Sequence, residues 1–144
     1  MNAQKRRRND ILTVKQIKRT VKLITKQSIM HDVAPEMEGF PMRSWSISIY
    51  LVGPDGEEMP ATCFEKATYV LHESFGPKRA KQAFRQVPFT IKEKGWGEFD
   101  MQIVLTPVGN PKAGEQTLSH DLNFQNEEYE STHSVVCEDV RIRQ

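Results

Sequence analysis

The sequence predicts an all-β protein, an antiparallel sandwich of seven or eight short strands. Three observations indicate this class. Apolar and polar residues alternate with a period of two in several segments, turn residues separate these segments, and no long segment has a helical period. A chain of 144 residues has the length of one domain and can bury a core without disulfides or a structural metal.

The clearest strand runs from Ser44 to Leu51, with serines on one face and apolar residues on the other: Trp45, Ile47, Ile49 and Leu51. The same alternation predicts two further strands, built on the sets Ala67, Tyr69, Leu71 and Phe99, Met101, Ile103, Leu105. Residues 20–25 form an earlier strand-like segment with lysine on its outward side. A β-branched run predicts a last strand at 135–142, with these residues facing inward: Val136, Val140 and Ile142.

Turn residues separate the predicted strands. Gly53-Pro54-Asp55-Gly56 predicts a tight turn, since proline presets φ near −65° and glycine adopts a positive φ. Residues 107–114 predict a second, hairpin-like loop. The polar segment 78–86 lies between two prolines and fits either a short helix or a long loop.

The net charge of +1 hides an uneven distribution of charge along the chain. Residues 1–28 contain nine Lys and Arg and one acid, a net charge of +8, so the other 116 residues carry −7. The near-neutral total argues against a uniformly basic protein that coats nucleic acid. The run Lys5–Arg8 fits a nuclear-localisation patch, a nonspecific nucleic acid contact or a disordered leader, and these three stay open.

No apolar run approaches the ~20 residues that span a bilayer, and no apolar segment follows the basic start as it would in a secretory signal. We therefore expect an intracellular protein that makes no membrane contact. Cys63 and Cys137 have neither a CxxC spacing nor a histidine partner, so we expect two reduced thiols. No metal or cofactor is expected.

Enzyme signatures are missing from the sequence, which has no GxGxxG, Walker, HExxH or GxSxG motif. His72 and Ser74 lie two residues apart. A hydrolase would also need an orienting third group and an oxyanion hole, and no local motif supplies either. The sequence therefore predicts no catalytic residue and a protein that is not an enzyme.

Two aromatic residues lie beside turn signals rather than within strand patterns. Phe75 directly precedes Gly76-Pro77, and Trp96 lies between Gly95 and Gly97. Flanking glycines are unusual inside a strand, so Trp96 is expected to project from a loop. These two rings either cap one end of the sandwich core or line a ligand site.

These residues belong to motifs that follow one another along the chain: Phe64-Glu65-Lys66, Leu71-His72-Glu73-Ser74-Phe75-Gly76-Pro77, Pro88-Phe89, Gly95-Trp96-Gly97-Glu98-Phe99 and His120-Asp121-Leu122-Asn123-Phe124. Together with Phe40 ahead of the Trp45 strand, they resemble the YEATS domain family over about residues 20–140. The last motif, with Lys112-Ala113-Gly114-Glu115 ahead of it, is most similar to the fungal branch. That branch is shared by the transcription factors TFIID and TFIIF and by chromatin remodellers.

The resemblance implies an eight-stranded immunoglobulin-like sandwich that reads acylated lysine, acetyl or crotonyl, on histone H3 tails. It implies a pocket among loops at one end of the sandwich, with these acyl-lysine-binding residues: His72, Ser74, Phe75, Trp96, Gly97 and Phe99. A rim around it would be formed by Phe40, Gly95, Glu98 and Asp121. The family's contacts to the acyl amide fall on the Ser74 hydroxyl and the Trp96 backbone N–H.

Two of these residues have a second interpretation. His72 either lines the pocket and orients Ser74, or is a half-buried strand histidine bonded to a backbone carbonyl. Asp121 either rims the site and meets an arginine of the histone tail, or is a solvated loop acid.

For the whole chain, we expect a basic, disordered leader at 1–13 and a YEATS domain at 14–144. The expected protein is nuclear, a subunit of TFIID, TFIIF or a chromatin-remodelling complex, and touches nucleic acid at most nonspecifically through the leader. The alternative is a structural scaffold subunit of a transcription complex whose pocket is vestigial.

Overall fold

The computed structural model describes the backbone of residues 12–109 and 114–142 and the side chains of 16–109 and 114–138. Its strands are β1 Leu12–Ile29, β2 Arg43–Val52, β3 Glu58–Pro60, β4 Phe64–Val70, β5 Lys81–Phe84, β6 Ile91–Gly95, β7 Phe99–Pro107, β8 Gln116–Leu122 and β9 Glu128–Ile142. A 3₁₀ turn at Glu73–Phe75 leads into α1, the single helical turn Gly76–Arg79.

The strands form two sheets, which confirms the predicted all-β sandwich. In the first sheet the order is β3-β2-β1-β9, and β6 pairs with β2 as well; in the second the order is β5-β4-β7-β8. Every pairing within the described residues is antiparallel. β2 pairs with β3 through residues 50–52 and with β6 through residues 43–47, so both strands share one edge of β2.

The core lies between the sheets and is formed by the apolar faces that the alternation predicts. All four apolar residues of the Ser44–Leu51 pattern are buried, and so are Met101, Ile103 and Leu105 of β7. Phe99, the first residue of β7, is half-buried, because it lies where the core meets the end of the sandwich.

The predicted orientation of β9 is wrong where it can be examined. Val135 and Cys137 are buried, 2% and 5% exposed, whereas Val136 is not. A continuous β-branched run does not reveal which residues face inward, and pairing with β1 decides it. Val135 and Cys137 lie opposite Arg19 and Ile17, on the face that β1 turns inward with Val21 and Leu23. The side chains of Val140 and Ile142 lie outside the described residues.

The expectation of two reduced thiols is also wrong. Cys63, just before β4, and Cys137 of β9 form a disulfide with their Cα atoms 5.8 Å apart. The two residues are 74 positions apart in sequence, and they meet because β9 packs across the sandwich from the start of β4. No local spacing could have indicated the pair.

The segments between strands follow turn chemistry in one case and depart from both sequence interpretations in another. At 53–56 the predicted tight turn is present: Gly56 has φ +81° and donates its N–H to the Gly53 carbonyl at 3.0 Å. The segment 78–86 is neither a short helix nor a long loop, because the helical turn α1 ends at Arg79 and strand β5 occupies Lys81–Phe84. Residues 110–113 of the predicted 107–114 loop lie outside the described residues.

The basic and acidic parts of the sequence lie side by side in paired strands. β1 carries much of the basic N-terminal segment, and it pairs along its length with the acidic β9. Lys22 and Lys26 lie 3.7 and 3.8 Å from the carboxylates of Glu130 and Glu128. The described residues begin at Leu12, so most of the predicted leader, including Lys5–Arg8, lies outside them. Within the described ranges, no helix is long and apolar enough to cross a membrane.

Candidate functional site

One end of the sandwich contains a cavity of about 480 Å³, lined by three chain segments. These are the β4–β5 connection with the 3₁₀ turn and α1, the β6–β7 connection, and the segment that precedes β2. All six predicted acyl-lysine-binding residues line this one cavity: His72, Ser74, Phe75, Trp96, Gly97 and Phe99. Residues 21 to 27 positions apart in sequence therefore meet around a single space.

His72 and Ser74 are held together at the start of the 3₁₀ turn. The Ser74 backbone N–H donates to His72 Nδ1 at 3.1 Å, and the Ser74 hydroxyl oxygen lies 2.8 Å from the same nitrogen. Because Nδ1 accepts the backbone N–H, it carries no proton, and the hydroxyl must be the second donor. The lone pairs of the Ser74 oxygen are then free to accept a hydrogen bond from a ligand.

Phe75 forms an aromatic wall that is also part of the core surface. Its ring centroid lies 5.5 Å from Phe99 and 6.4 Å from the buried Trp45, which meets it edge-on. Phe75 therefore packs against the end of the core and also lines the cavity.

Trp96 lies in the β6–β7 connection, as its glycine neighbours predict. Its ring packs against Phe40 at 5.5 Å with an interplanar angle of 52°. A Cβ atom at Gly97 would meet no atom within 4 Å, so the backbone beside Trp96 is open. Trp96 and Phe75 thus approach the cavity from different segments, each supported by its own aromatic neighbours.

The structure separates the four predicted rim residues. Gly95 and Glu98 line the cavity. Phe40 is 51% exposed and reaches the site through its contact with Trp96. Asp121 does not line the cavity; its carboxylate accepts a hydrogen bond from the Asn123 side chain at 3.1 Å.

Four lining residues escaped the sequence interpretation: Glu36, Met42, Arg79 and Lys94. Arg79 lies four residues after Phe75, which is about one helical turn. Its guanidinium carbon is 5.3 Å from the Phe75 ring centroid. The i, i+4 spacing of Arg79 after an aromatic residue is the sequence feature that could have predicted its place in the cavity lining. Glu36 and Met42 lie in an irregular segment and had none.

The carboxylate of Glu98 connects the cavity to the neighbouring loop. It accepts the backbone N–H of Phe124 at 2.7 Å. The Arg43 guanidinium covers the Phe124 ring at 4.9 Å and donates to Gln27 at 2.8 Å. The loop after β8 is thereby fastened to the β6–β7 connection and to the sheet that contains β1 and β2.

A buried polar cluster supports the same loop from inside. His120 is 3% exposed, stacks on Tyr129 at 5.9 Å and shares a hydrogen bond of 3.0 Å with the Thr25 hydroxyl. Burial, with a smaller effect of His133, lowers the pKa of His120 to about 4. The Tyr129 hydroxyl donates to the Asp121 carbonyl at 2.6 Å and accepts the Asn123 N–H at 3.1 Å.

The fold and the cavity define an immunoglobulin-like β-sandwich with a loop-built, aromatic-walled site at one end. Sequence comparison is specific about the family: the sequence profile of the YEATS family matches residues 40–126. The chain therefore belongs to the YEATS family, as its motifs indicate.

Two curated relatives are similar over most of this chain. One is Transcription initiation factor TFIID subunit 14 of Schizosaccharomyces pombe, 40% identical over 116 residues, which cover 78% of this chain and 46% of the relative. The other is Something about silencing protein 5 of Saccharomyces cerevisiae, 34% identical over 81% of this chain and 45% of the relative. The chain thus spans less than half the length of these relatives.

Solved structures of the yeast Yaf9 YEATS domain have the same fold. One, described as recognising an H3K122suc peptide, has a TM-score of 0.61 and 22% identity, and covers 90% of this chain and 88% of the other. Another, described as bound to H3K27ac, has a TM-score of 0.60 and 21% identity, with coverages of 91% and 89%. At these identities the likeness is one of fold.

Proposed function

We propose that the cavity binds acylated lysine, acetyl or crotonyl, on histone H3 tails, and that the domain is a reader without catalytic activity. The observation that carries the proposal is the convergence of His72, Ser74, Phe75 and Trp96 on one cavity, with the Ser74 lone pairs free. A volume of about 480 Å³ lies within the usual range for a small-ligand site. Gly97 and Phe99 complete the binding set, and Phe40, Gly95 and Glu98 border it.

Recognition of the acyl amide needs one acceptor and one donor. The Ser74 oxygen accepts the amide N–H, and the Trp96 backbone N–H donates to the acyl carbonyl. Without such partners, burying the amide would cost about 1–3 kcal/mol. His72 acts indirectly, because it fixes the Ser74 hydroxyl as a donor to Nδ1 and so keeps the oxygen turned to the ligand.

The aromatic walls favour a flat acyl group. Phe75 and Trp96 lie on either side of the amide and the acyl chain, and each aromatic contact adds roughly 0.5–1.5 kcal/mol beyond area burial. Crotonyl is planar and conjugated, so it fits between two rings. Unmodified lysine is rejected, because an ammonium has three donors and no acceptor for the Trp96 N–H.

The proposal includes no catalytic step and no metal. His72 uses Nδ1 for Ser74, and within residues 16–109 and 114–138 no carboxylate is hydrogen-bonded to its ring. A serine hydrolase needs a base oriented by such a group. Among the same residues, no cluster of three metal-ligating side chains is present.

The proposed setting is a nuclear complex of the transcription or chromatin-remodelling type, TFIID and TFIIF included. Support comes from the name of the TFIID subunit relative and from the family. An Asp121 contact to a tail arginine is retained as a proposal, because the side chain is exposed and lies one residue from the end of β8.

Peptide titration tests the proposal. We expect the domain to bind acetylated and crotonylated H3 peptides with micromolar or weaker affinity, since one side chain and a short peptide bury little area. The unmodified peptide should not bind. Trp96→Ala should abolish the preference, because it removes one wall of the cavity.

Tyr50→Ala, on the outer face of the five-stranded sheet, is the matched aromatic control and should bind like wild type. If the wild-type domain binds acylated and unmodified peptides equally, the reader function is wrong and a scaffold with a vestigial pocket is favoured instead.

A further inference from the structure

One wall of the cavity is braced by a residue that does not line it. Glu93 of β6 is bonded through both carboxylate oxygens to Arg79 of α1, one of the two bonds being Nε to Oε2 at 3.1 Å. Gln82 of β5 donates to the same carboxylate at 2.7 Å and to the Arg79 carbonyl at 3.0 Å. These hydrogen bonds among Glu93, Arg79 and Gln82, called the bracket below, connect a strand of each sheet to the helical turn that follows Phe75.

The bracket fixes where Arg79 lies, and Arg79 in turn covers Phe75. The guanidinium carbon is 5.3 Å from the Phe75 ring centroid, within the range of a cation–π contact. Two-point bonding by a carboxylate holds the planar guanidinium in one orientation, which a single hydrogen bond would not do. The position of the Phe75 ring thus depends on Glu93 through Arg79.

The same contact contributes to the charge of the cavity, which Glu36, Lys94 and Glu98 also line. Arg79 lines the cavity with 48% of its side chain exposed, whereas the Glu93 side chain is 10% exposed behind it. The hydrogen bond to Glu93 is the main reason why the pKa of Arg79 is raised. Although burial alone would raise it, the pKa of Glu93 is lowered by the hydrogen bonds from Arg79 and Gln82. The carboxylate is therefore ionised and offsets the guanidinium charge.

We propose that Glu93 is a positioning and specificity-determining residue of the acyl-lysine site, which holds Arg79 over Phe75 and neutralises it. The assignment rests on the proposed function for its ligand. Two effects follow from it. Glu93 keeps the Phe75 wall in place, and it makes the cavity favour uncharged acyl groups over acyl groups that end in a carboxylate.

The first arm of the test needs no ligand. Ring ¹H–¹³C NMR signals of Phe75 report its position, because the rings of Trp45 and Phe99 lie 6.4 and 5.5 Å away. Glu93→Gln should shift these signals. Glu128→Gln, in the exposed pair with Lys26 on the outer sheet face, is the matched control and should leave them unchanged.

The second arm compares crotonyl-lysine and succinyl-lysine H3 peptides. Glu93→Gln should lower crotonyl affinity about five-fold by loosening the cation–π contact. The ratio of succinyl to crotonyl affinity should rise about five-fold, because the Arg79 charge is no longer offset. Arg79→Met should lower crotonyl affinity without raising that ratio, since it removes the cation. A general loss of stability would lower the affinity for both peptides equally and leave their ratio unchanged.

The outcomes separate the two proposals. The role of Glu93 would be overturned if Glu93→Gln left the Phe75 signals unchanged. It would also be overturned if the variant bound crotonyl peptide normally and its succinyl-to-crotonyl affinity ratio did not change. Either result would leave the reader function intact. Shifted Phe75 signals in a domain whose wild type ignores acylation would overturn the reader function, and Glu93 would remain the residue that positions this wall.

Discussion

The cavity among the loops encloses about 480 Å³, and a depression on the outer face of the five-stranded sheet encloses about 540 Å³. Similar residue types occur in both places. The cavity has His72, Ser74, Glu98 and Arg79, and the depression has serines, lysines and glutamates from β1, β2, β3, β6 and β9. The two regions differ in what those polar groups are bonded to.

At the cavity end, polar groups have fixed partners and lie against aromatic rings. Ser74 is bonded to His72, and the Glu98 carboxylate is bonded to the Phe124 N–H. On the outer face the Ser48 and Thr90 hydroxyls bond to each other at 2.7 Å, but the ion pair between Lys26 and Glu128 is long, at 3.8 Å, and its side chains are 65% and 60% exposed. A concave surface of sufficient size is therefore not enough for a site, since the energy of a polar group depends on its desolvation and on its partner.

The largest effect that we expect concerns the buried His120, which supports the loop beside the cavity. Burial lowers the pKa of His120 to about 4. The imidazole of the folded protein therefore stays neutral at pH values where the same histidine of the unfolded chain takes up a proton. Acidification from about pH 6.5 towards 4 thus favours unfolding, by roughly 2–3 kcal/mol from this residue. Above about pH 7 its contribution is constant.

Urea unfolding of wild type and His120→Asn at pH 7 and pH 4.5 checks this expectation. The stability difference between the two proteins should shrink by that amount at the lower pH, because other groups titrate alike in both. A difference that stays the same at both pH values would contradict a lowered pKa.

Next in size is the contrast between two serines. Ser74→Ala removes the acceptor for the acyl amide, and an unpaired buried N–H costs about 1–3 kcal/mol, a loss of roughly five- to 150-fold in affinity. Ser46→Ala, in the outer depression, should leave peptide affinity unchanged. Isothermal titration with a crotonylated H3 peptide measures both. Equal affinities of wild type and Ser74→Ala would exclude Ser74 from the site.

The smallest effect belongs to the exposed pair of the outer face. The coupling energy between Lys26 and Glu128 should be below ~1 kcal/mol, because both side chains stay solvated. A double-mutant cycle with Lys26→Met and Glu128→Gln, followed by urea unfolding, gives this energy. A coupling of several kcal/mol would mean that the outer face is as tightly organised as the cavity, and the contrast between the two regions would disappear.

The sequence predicts the strands well where the alternation of residues is strict. Ser44–Leu51 alternates apolar and polar residues, and its burial follows that pattern. The run at 135–142 does not alternate, so its inward face was predicted wrongly. The period-two signal is local, and a strand without it takes its orientation from the strand beside it.

Much of the cavity lining was predictable from the family motifs, but only part of it from the residue patterns alone. His72, Ser74, Phe75 and Trp96 are in the motifs, and all of them line the cavity. Arg79 and Glu93 carry no motif, because they are joined by a contact between residues 14 positions apart on two different elements. Such a contact is invisible until the position of α1 against β6 is known.

The amino-acid sequence by itself determined the all-β class, the tight turn at 53–56 and, through its motifs, eight of the twelve residues that line the cavity. Only the tertiary structure decided how distant segments meet. It paired the basic β1 with the acidic β9, joined Cys63 to Cys137, and placed Glu93 behind Arg79. The physical reason is one of range: alternation and turn preferences act between neighbours in the chain, whereas charge pairing, the disulfide and the cavity depend on sheet register and on how the two sheets pack.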